Sequence, residues 1–232
     1  MSKKRGKKYL NALKEVEQRE YSIEEAIELL KKIKYSNFDE SVDLAMKLGV
    51  DPKRSDQMVR GTVVLPNGTG KTKRVVVIAS GEKIKEAESA GADYIGGEEL
   101  IEKISKGWLD FEAVVTTPDM MKSVSKLGKV LGARGLMPSP KTGTVTFDIA
   151  KAVKEIKSGR VEFRIDKSAN LHASVAKLSF PTEKIVENVK AFVEAVLKAK
   201  PPASKGKYIQ SLYVSSTMSP SIKVSLASVG IK

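Results

Sequence analysis

The sequence predicts a two-domain α/β protein, with a compact α/β domain inserted into a discontinuous α+β domain. Two observations lead to this fold class. Apolar residues near both ends of the chain recur with a period of two, which is typical of half-buried antiparallel strands. The middle of the chain alternates short apolar strands with helices, which is typical of a largely parallel sheet. We place the inserted domain at residues 68–159 and the discontinuous domain at residues 1–67 and 160–232.

The N-terminal segment predicts two helices followed by two strands. The first helix covers residues 11–19, and the second opens at Ser22, a good N-cap whose capping box is completed by Glu25. Apolar and polar positions alternate from Phe38 to Val50, which predicts a long half-buried strand. A short polar turn leads to the next strand at residues 58–65, so we expect these two strands to pair antiparallel.

The middle segment predicts a βαβ arrangement. Its first strand, Arg74–Ser80, contains four consecutive β-branched residues, as expected of a strand buried on both faces. Further elements alternate along the chain: helix 82–90, strand 93–95, helix 98–106, strand 113–117, helix 118–126, strand 144–147 and helix 149–157. Domain insertion succeeds where chain ends lie close together at surface turns. We therefore expect the hinge strands at the two junctions, marked by Gly68 and Gly70 and by Ser158 and Gly159.

The C-terminal segment returns to the antiparallel pattern. Alternation over residues 160–165 predicts a strand, and residues 171–180 are expected to be its hairpin partner. An amphipathic helix follows over residues 182–198 and ends before two prolines. Two further strands are predicted at residues 208–216 and 221–226.

Composition excludes several functional classes. The 232 residues include no Cys and a single His, His172. These counts exclude a disulfide scaffold, thiolate or multi-histidine metal sites, and catalysis by Cys or by a His pair. No apolar run approaches the roughly 20 residues of a membrane-spanning helix, and none follows the basic N-terminus as a signal peptide requires. We therefore expect a cytoplasmic protein without a membrane partner.

The net charge of +13 indicates a polyanionic partner, most simply a nucleic acid. Residues 1–67 and 160–232 together carry 26 Lys and Arg against 16 Asp and Glu, whereas residues 68–159 carry 15 against 12. The binding surface is therefore expected on the discontinuous domain, although lysine-rich helix ends and tails are also common as solvated surface. No acidic residue follows Glu194, but six lysines do: Lys198, Lys200, Lys205, Lys207, Lys223 and Lys232.

A nucleotide-binding enzyme is the alternative from another functional class. Gly70-Lys71-Thr72 resembles the end of a phosphate-binding loop, but Leu65 stands where the loop needs its first glycine. A strand rather than a helix is expected next, so no helix N-terminus is available for the phosphate. The strand at residues 74–80 is followed by Gly81 without the other glycines of a dinucleotide fingerprint. We therefore predict no enzyme activity, catalytic residue, cofactor or metal.

Several particular segments, in order along essentially the whole chain, resemble the ribosomal protein L1 family of the large subunit in its bacterial form. These segments are Asn37–Val42, Leu48–Pro52, Val59–Pro66, Leu127–Val145, Gly159–Lys167 and Tyr213–Pro220. The resemblance implies that the inserted domain is a Rossmann-like three-layer α/β domain carried on two hinge strands.

The resemblance also implies the function. Members of the family are structural proteins that bind large-subunit ribosomal RNA to form the mobile stalk. They assist the release of discharged tRNA from the exit site, and many repress translation of their own operon messenger RNA. The resemblance further implies a monomer when the protein is free. A non-ribosomal RNA-binding repressor stays open as an alternative, because the sequence cannot separate it from a protein with both roles.

Positions that match the family imply an RNA surface shared by several elements. Apolar side chains such as Phe38 and Met218 suit sugars and bases, hydroxyls suit 2′-hydroxyls, and Arg and Lys suit phosphates. Two candidates have a structural alternative: Phe38 could pack in the core, and His172 could be an ordinary half-exposed strand residue. The complete set is Phe38, Glu40, Arg60, Arg164, Lys167, His172, Ser216, Thr217, Met218, Ser219 and Pro220.

The sequence departs from the usual family pattern at five positions. Asn37 stands where Lys is usual, which removes a cation from the expected RNA surface. Ser219 stands where Gly is common, so the turn there must tolerate a side chain. Ala133 replaces a usual Pro, and Ala169 and Ala176 replace usual glycines.

Overall fold

The computed structural model describes residues 5–230, which divide into two compact units. The first unit contains the described residues up to Gly70 and those from Val161 onwards, and the second is Lys71–Arg160. Both unit boundaries lie within a few residues of the domain boundaries that we expected. The chain therefore leaves the first unit once and returns to it once.

The described residues form the following elements. The helices are α1 (Lys7–Lys14), α2 (Ile23–Lys32), α3 (Lys83–Ser89), α4 (Glu98–Ser105), α5 (Met121–Val124), α6 (Gly128–Ala133), α7 (Ile149–Lys157) and α8 (Thr182–Lys198). The strands are β1 (Ser41–Leu48), β2 (Arg60–Val64), β3 (Val75–Ile78), β4 (Tyr94–Gly96), β5 (Ala113–Thr116), β6 (Arg160–Arg164), β7 (Asn170–Lys177), β8 (Ile209–Ser216) and β9 (Ile222–Val224). None of these helices is long and apolar enough to cross a membrane.

The first unit is built on a four-stranded antiparallel sheet with the strand order β7-β1-β8-β9. Burial alternates along β1, so every second side chain, such as Val42 and Leu44, lies in the core. The apolar stripes of α2 and α8 belong to the same core. The predicted capping box of α2 is confirmed, because Ser22 Oγ accepts the Glu25 N–H and the Glu25 carboxylate accepts the Ser22 N–H, both at 3.2 Å.

Two strand pairings predicted from the sequence are wrong. β1 does not pair with β2; it lies between β7 and β8, while β2 and β6 form a separate two-stranded sheet. Gly61 fits closely in this second sheet, because a Cβ there would lie 2.6 Å from the Phe163 ring of β6. β6 and β7 do not pair as the expected hairpin; just after β6, Ile165 forms an isolated bridge with Leu171 of β7, and Asp166 N–H donates to the Asn170 carbonyl at 2.8 Å. Alternating burial specifies which face of a strand is covered but not which strand lies beside it.

The second unit is built on a parallel sheet with the strand order β4-β3-β5. All four residues of β3 are buried: Val76 packs into one apolar cluster, and Val75 and Val77 pack into another. The predicted α/β fold class is therefore confirmed.

Local differences from the predicted elements occur at three places. The helix expected at residues 11–19 is formed earlier, as α1. The helix expected at residues 118–126 is divided into α5, a 3-10 turn at Ser125–Leu127 and α6. The strand expected at residues 144–147 is reduced to a single bridge between Thr116 and Val145.

Candidate nucleic-acid interface

A buried carboxylate organises the start of β1. Glu40 is 1% exposed. Its Oε1 accepts the Ser36 hydroxyl, and its Oε2 accepts both the Ser216 hydroxyl and, at 3.0 Å, the Met218 N–H. Burial raises the pKa of Glu40, but the hydrogen bonds from Ser216, Ser36 and Met218 lower it by more, so that its pKa lies below the ordinary range. The ionised carboxylate therefore joins the segment before β1 to the turn after β8.

Two further hydrogen bonds hold the same turn. The Tyr35 hydroxyl donates to the Met218 carbonyl at 2.5 Å. The Thr217 hydroxyl accepts the Ser41 N–H at 3.0 Å. Together with the Glu40 bonds, these contacts fix the backbone of the turn on both sides of Met218. We call Tyr35–Ser41 together with Ser216–Pro220 the Glu40 junction.

Ser219 supports the turn in a way that glycine could not. Its hydroxyl accepts the Ser216 N–H at 2.9 Å, and its own N–H donates to the Ser216 carbonyl at 3.3 Å. Its φ is not positive, since Ala169 is the one non-glycine residue with positive φ in the described part of the chain. The turn therefore accommodates this side chain without left-handed backbone strain.

The Glu40 junction exposes its apolar side chains and buries its acidic one. Phe38 and Met218 are 50% and 46% exposed, and Thr217 is also exposed. The core-packing alternative for Phe38 is therefore wrong, and the expected place of Phe38 and Glu40 on the first strand is also wrong because β1 begins at Ser41. The side chain of Glu40 does not lie on the surface where we expected it. Ser216 and Pro220 are buried as well, so these residues support the surface rather than form it.

One face of the four-stranded sheet is open. On β1 this face carries Asp43, Ala45 and Lys47, all partly exposed. The strand register places His172 of β7 and Tyr213 of β8 on either side of Ala45, and His172 is exposed. An imidazole, a small side chain and a phenol therefore lie in one row across three strands.

The predicted arginines lie on a different sheet. Arg60 belongs to β2, where its Nη2 lies 2.6 Å from Glu162 Oε1, and Arg164 ends β6 with its side chain exposed. Both are therefore on the two-stranded sheet, and the structure does not bring them to the Glu40 junction through strand pairing. The charge of Arg60 is already partly neutralised by its ion pair.

Lys167 lies in a tight turn between β6 and β7. The Asp166 carboxylate accepts the N–H groups of Asn170 and Ser168, both at 2.7 Å. The backbone N–H of Asn170 is the main cause of the lowered pKa of Asp166. Ala169 completes the turn with φ of 58°, a conformation that L residues other than Gly, Asn and Asp rarely adopt. The turn leaves the Lys167 side chain exposed.

Comparison with known proteins supports the resemblance seen in the sequence. A model of the Ribosomal protein L1p/L10e family matches residues 30–220. Over 233 residues the chain is 58% identical to a Solibacter usitatus (strain Ellin6076) protein named large ribosomal subunit protein uL1, and the match covers 100% of this chain and 98% of that protein. This chain belongs to the ribosomal protein L1p/L10e family.

Within this family member, sequence reasoning missed residues that hold the candidate interface together. Tyr35 and Ser36 gave no local signal, because their partners at Met218 and Glu40 are recognised only once the chain has folded. Tyr213 begins one of the segments that resemble the family but was not included among the predicted site residues. Its alternation with buried neighbours could have placed it on the open face together with Lys47.

The predicted hinge residues flank the boundaries of the two units. Gly68 and Gly70 have φ of 65° and 71°, Gly159 has φ of 100°, and Ser158 caps the end of α7. At Gly70 a Cβ would also lie 2.8 Å from Lys177 Cγ, so a side chain there would strain the backbone and crowd Lys177. A hinge function for these residues stays a prediction.

Within residues 5–230 no group of three or more His, Asp or Glu residues is placed to hold a metal ion.

Proposed function

We propose that this chain is a structural RNA-binding protein of the large ribosomal subunit. The observation that carries the proposal is the Glu40 junction, which holds exposed apolar and hydroxyl side chains in a fixed geometry. Membership of the ribosomal protein L1p/L10e family and the matched large-subunit relative support the same assignment. The open face of the four-stranded sheet, beside the junction, supplies a surface over which RNA can extend.

The chemistry of the junction suits folded RNA. Phe38 and Met218 offer apolar surface to bases and sugars, and backbone groups beside Thr217 suit 2′-hydroxyls. Exposed cations of the same unit, such as Lys167 and Arg164, supply phosphate contacts. Because the turn is fixed by hydrogen bonds before RNA arrives, binding orders few groups and loses little conformational entropy.

We further propose the roles that the family resemblance implies. The RNA partner is the stalk region of large-subunit ribosomal RNA, and the stalk assists the release of discharged tRNA from the exit site. A messenger RNA that presents the same fold can occupy the same surface, so repression of the chain's own operon needs no second site. The free protein is proposed to be a cytoplasmic monomer.

Binding to a stalk RNA fragment tests the main proposal. We expect affinity for this fragment to exceed affinity for an unrelated hairpin of equal length, and to fall steeply with salt. Equal affinity for the two RNAs would refute the proposal. Co-sedimentation with large subunits separates a ribosomal protein from a repressor that binds messenger RNA alone.

Met218→Ala and Thr217→Val test the site, and each should weaken binding to stalk RNA. Removing the half-exposed Met218 side chain should weaken stalk RNA binding about tenfold, since burying the exposed part of a Met side chain contributes roughly 1–1.5 kcal/mol. Met58→Ala is the matched control, because Met58 is 47% exposed on the same unit. If the Met218 and Met58 variants bind alike by fluorescence anisotropy, the junction is not the RNA site.

A further inference from the structure

A cationic feature lies at the opposite end of the four-stranded sheet from the Glu40 junction. It is a surface depression of about 500 Å³ where three loops meet: the loop after β1, the turn before β7 and the segment before β8. We call it the lysine pocket. Its lysines are Lys47, Lys53, Lys167, Lys205 and Lys207.

The lysine pocket is a built feature, because hydrogen bonds tie its loops together. Leu48 N–H donates to the Ala169 carbonyl at 3.0 Å, and Gly49 N–H donates to the Tyr208 carbonyl at 2.7 Å. The Lys47 ammonium donates to the Ser168 carbonyl. At Gly49 a Cβ would lie 2.3 Å from the Lys207 carbonyl oxygen, so the first and third loops are in close backbone contact.

The positive charge of the pocket is only partly compensated by its surroundings, where the pKa of Glu20 is lowered mainly by its hydrogen bond from Lys223 and also by the nearby charge of Lys207. Asp51 is the single carboxylate among the lining residues, and it is engaged in its own loop, where it accepts the Lys53 N–H at 3.0 Å. Some lysines elsewhere pair with a carboxylate, as Lys223 does with Glu20 at 2.9 Å. Among the described residues, no salt bridge involves any of the five pocket lysines. Five lysines gathered around a single lining carboxylate leave an excess of positive charge, which favours an anionic ligand.

The open face of the sheet connects the pocket to the Glu40 junction. β1 runs from Ser41 at the junction to Leu48 at the pocket, which is roughly 23 Å at about 3.3 Å per residue. Lys47 lies on the same face of β1 as Ser41, and His172 and Tyr213 lie between the two ends. A single RNA that leaves the junction along this face would reach the pocket.

We propose that the lysine pocket is a second RNA contact, which binds backbone phosphates of the RNA held at the Glu40 junction. This inference rests on the proposed RNA-binding function and assigns different kinds of RNA contact to the junction and to the pocket. The junction offers shaped apolar and hydroxyl contacts, whereas the pocket offers several flexible ammonium groups without shape-specific partners. Phosphate contacts of this kind position the RNA and carry the salt-dependent part of the affinity.

The test compares two triple variants over a salt series. The pocket variant is Lys53→Ala/Lys205→Ala/Lys207→Ala, which leaves Lys47 and its bond to the Ser168 carbonyl in place. The control is Lys184→Ala/Lys190→Ala/Lys198→Ala, which removes the same charge from α8, the helix that packs on the covered face of the sheet. Affinity for the stalk RNA fragment is measured by fluorescence anisotropy between 50 and 200 mM salt, a range typical for such work.

The pocket variant should lower the magnitude of the salt slope by about 2–3, since each phosphate contact contributes roughly 0.7–0.9. The control variant should change the slope by less than about 1, and Lys→Arg at the three pocket positions should restore the wild-type slope. Equal slopes for the pocket and control variants would overturn the inference, including the case in which the pocket binds an acidic protein instead. Failure of the wild type to prefer stalk RNA over an unrelated hairpin would overturn the proposed function itself.

If the pocket variant melts at a lower temperature than the control, Lys→Gln at the same three positions replaces it. Glutamine keeps most of the length and polarity of lysine and removes only the charge. An unchanged salt slope in that folded variant would overturn the inference just as firmly.

Discussion

The two sheets of this protein are covered to different extents, and the difference indicates where a partner can bind. The parallel sheet of the second unit has apolar clusters on both faces, and every residue of β3 is buried. The antiparallel sheet of the first unit has helices on one face and leaves the other open, so burial alternates along β1. Parallel sheets are covered on both faces by their crossover helices, whereas antiparallel sheets can leave one face to solvent.

A partner of the second unit must therefore bind to loops or helices, whereas a partner of the first unit can lie directly on strands. Side chains on strands are held at fixed spacing by the sheet, so they present a more rigid surface than loops do. In the first unit this rigid face lies between the Glu40 junction and the lysine pocket. The larger excess of positive charge also belongs to the chain segments that form this unit.

Substitutions along β3 and β1 give the largest expected effect and test the comparison directly. Val76→Asp and Val77→Asp should each destabilise the second unit by about 4 kcal/mol or more, because each buries an unpaired carboxylate. On β1 the response should alternate: Leu44→Asp is equally severe, whereas Ala45→Asp costs about 1 kcal/mol or less.

Urea denaturation followed by circular dichroism measures these free energies of unfolding. Hydrogen exchange assigns each loss to one unit. If Val76→Asp and Val77→Asp differ as strongly as Leu44→Asp and Ala45→Asp, then β3 is covered on one face only, and the contrast between the sheets is lost.

The second-largest effect is expected at Glu40. Glu40→Ala removes three hydrogen bonds and leaves the Ser216 hydroxyl and the Met218 N–H without their acceptor, which should cost about 3 kcal/mol. Glu40→Gln keeps the shape but offers donors where acceptors are needed, so it should cost about 1–2 kcal/mol and also weaken RNA binding. Asp39→Asn is the control: this neighbouring exposed carboxylate bonds to Ser179 on the other side of the segment.

The stability that Glu40 contributes depends on pH in a defined direction. Its pKa is lower in the folded than in the unfolded protein, so the unfolded state binds the proton more readily. The difference in stability between wild type and Glu40→Gln should therefore be complete at neutral pH. It should decrease as the pH falls below about 4.3, the ordinary pKa of Glu. A difference that grows on acidification would contradict this assignment of the ionised state.

Much of the fold follows from local signals in the sequence. The Ser22 capping box, the alternation in β1 and the β-branched run in β3 each depend on neighbouring residues, and the structure confirms them. Strand pairing, in contrast, is not determined by residues that are adjacent in the sequence. β1 pairs with strands that begin more than a hundred residues later, and the alternation of β1 does not specify which strands those are.

Local sequence signals are likewise insufficient to predict the whole candidate site. The exposed Phe38 and Met218 follow from motif resemblance, but the burial of Glu40 does not, because carboxylates are seldom fully buried unless paired. Its hydroxyl partner Ser216 and its N–H donor Met218 lie at the other end of the chain. The lysine pocket likewise depends on three loops that meet only in the folded unit.

The smallest effects are expected at two turns of the first unit, at Ser219 and Ala169. Ser219→Gly should destabilise the protein by about 1–2 kcal/mol. The substitution removes the hydroxyl that accepts the Ser216 N–H and increases the entropy of the unfolded chain. RNA affinity should also fall, because the Glu40 junction is held less firmly without this hydroxyl.

Ala169→Gly should behave differently, because Ala169 has a positive φ and Ser219 does not. Relief of the left-handed conformation contributes about 1–2 kcal/mol, and it is offset by the greater entropy of the unfolded chain and by the loss of one buried methyl group. The net change in the free energy of unfolding should therefore lie within about 1 kcal/mol of zero. Chemical denaturation of both variants measures the contrast. Equal destabilisation by the two substitutions would mean that glycine entropy alone governs both turns, and that the Ser219 hydroxyl contributes nothing to the Glu40 junction.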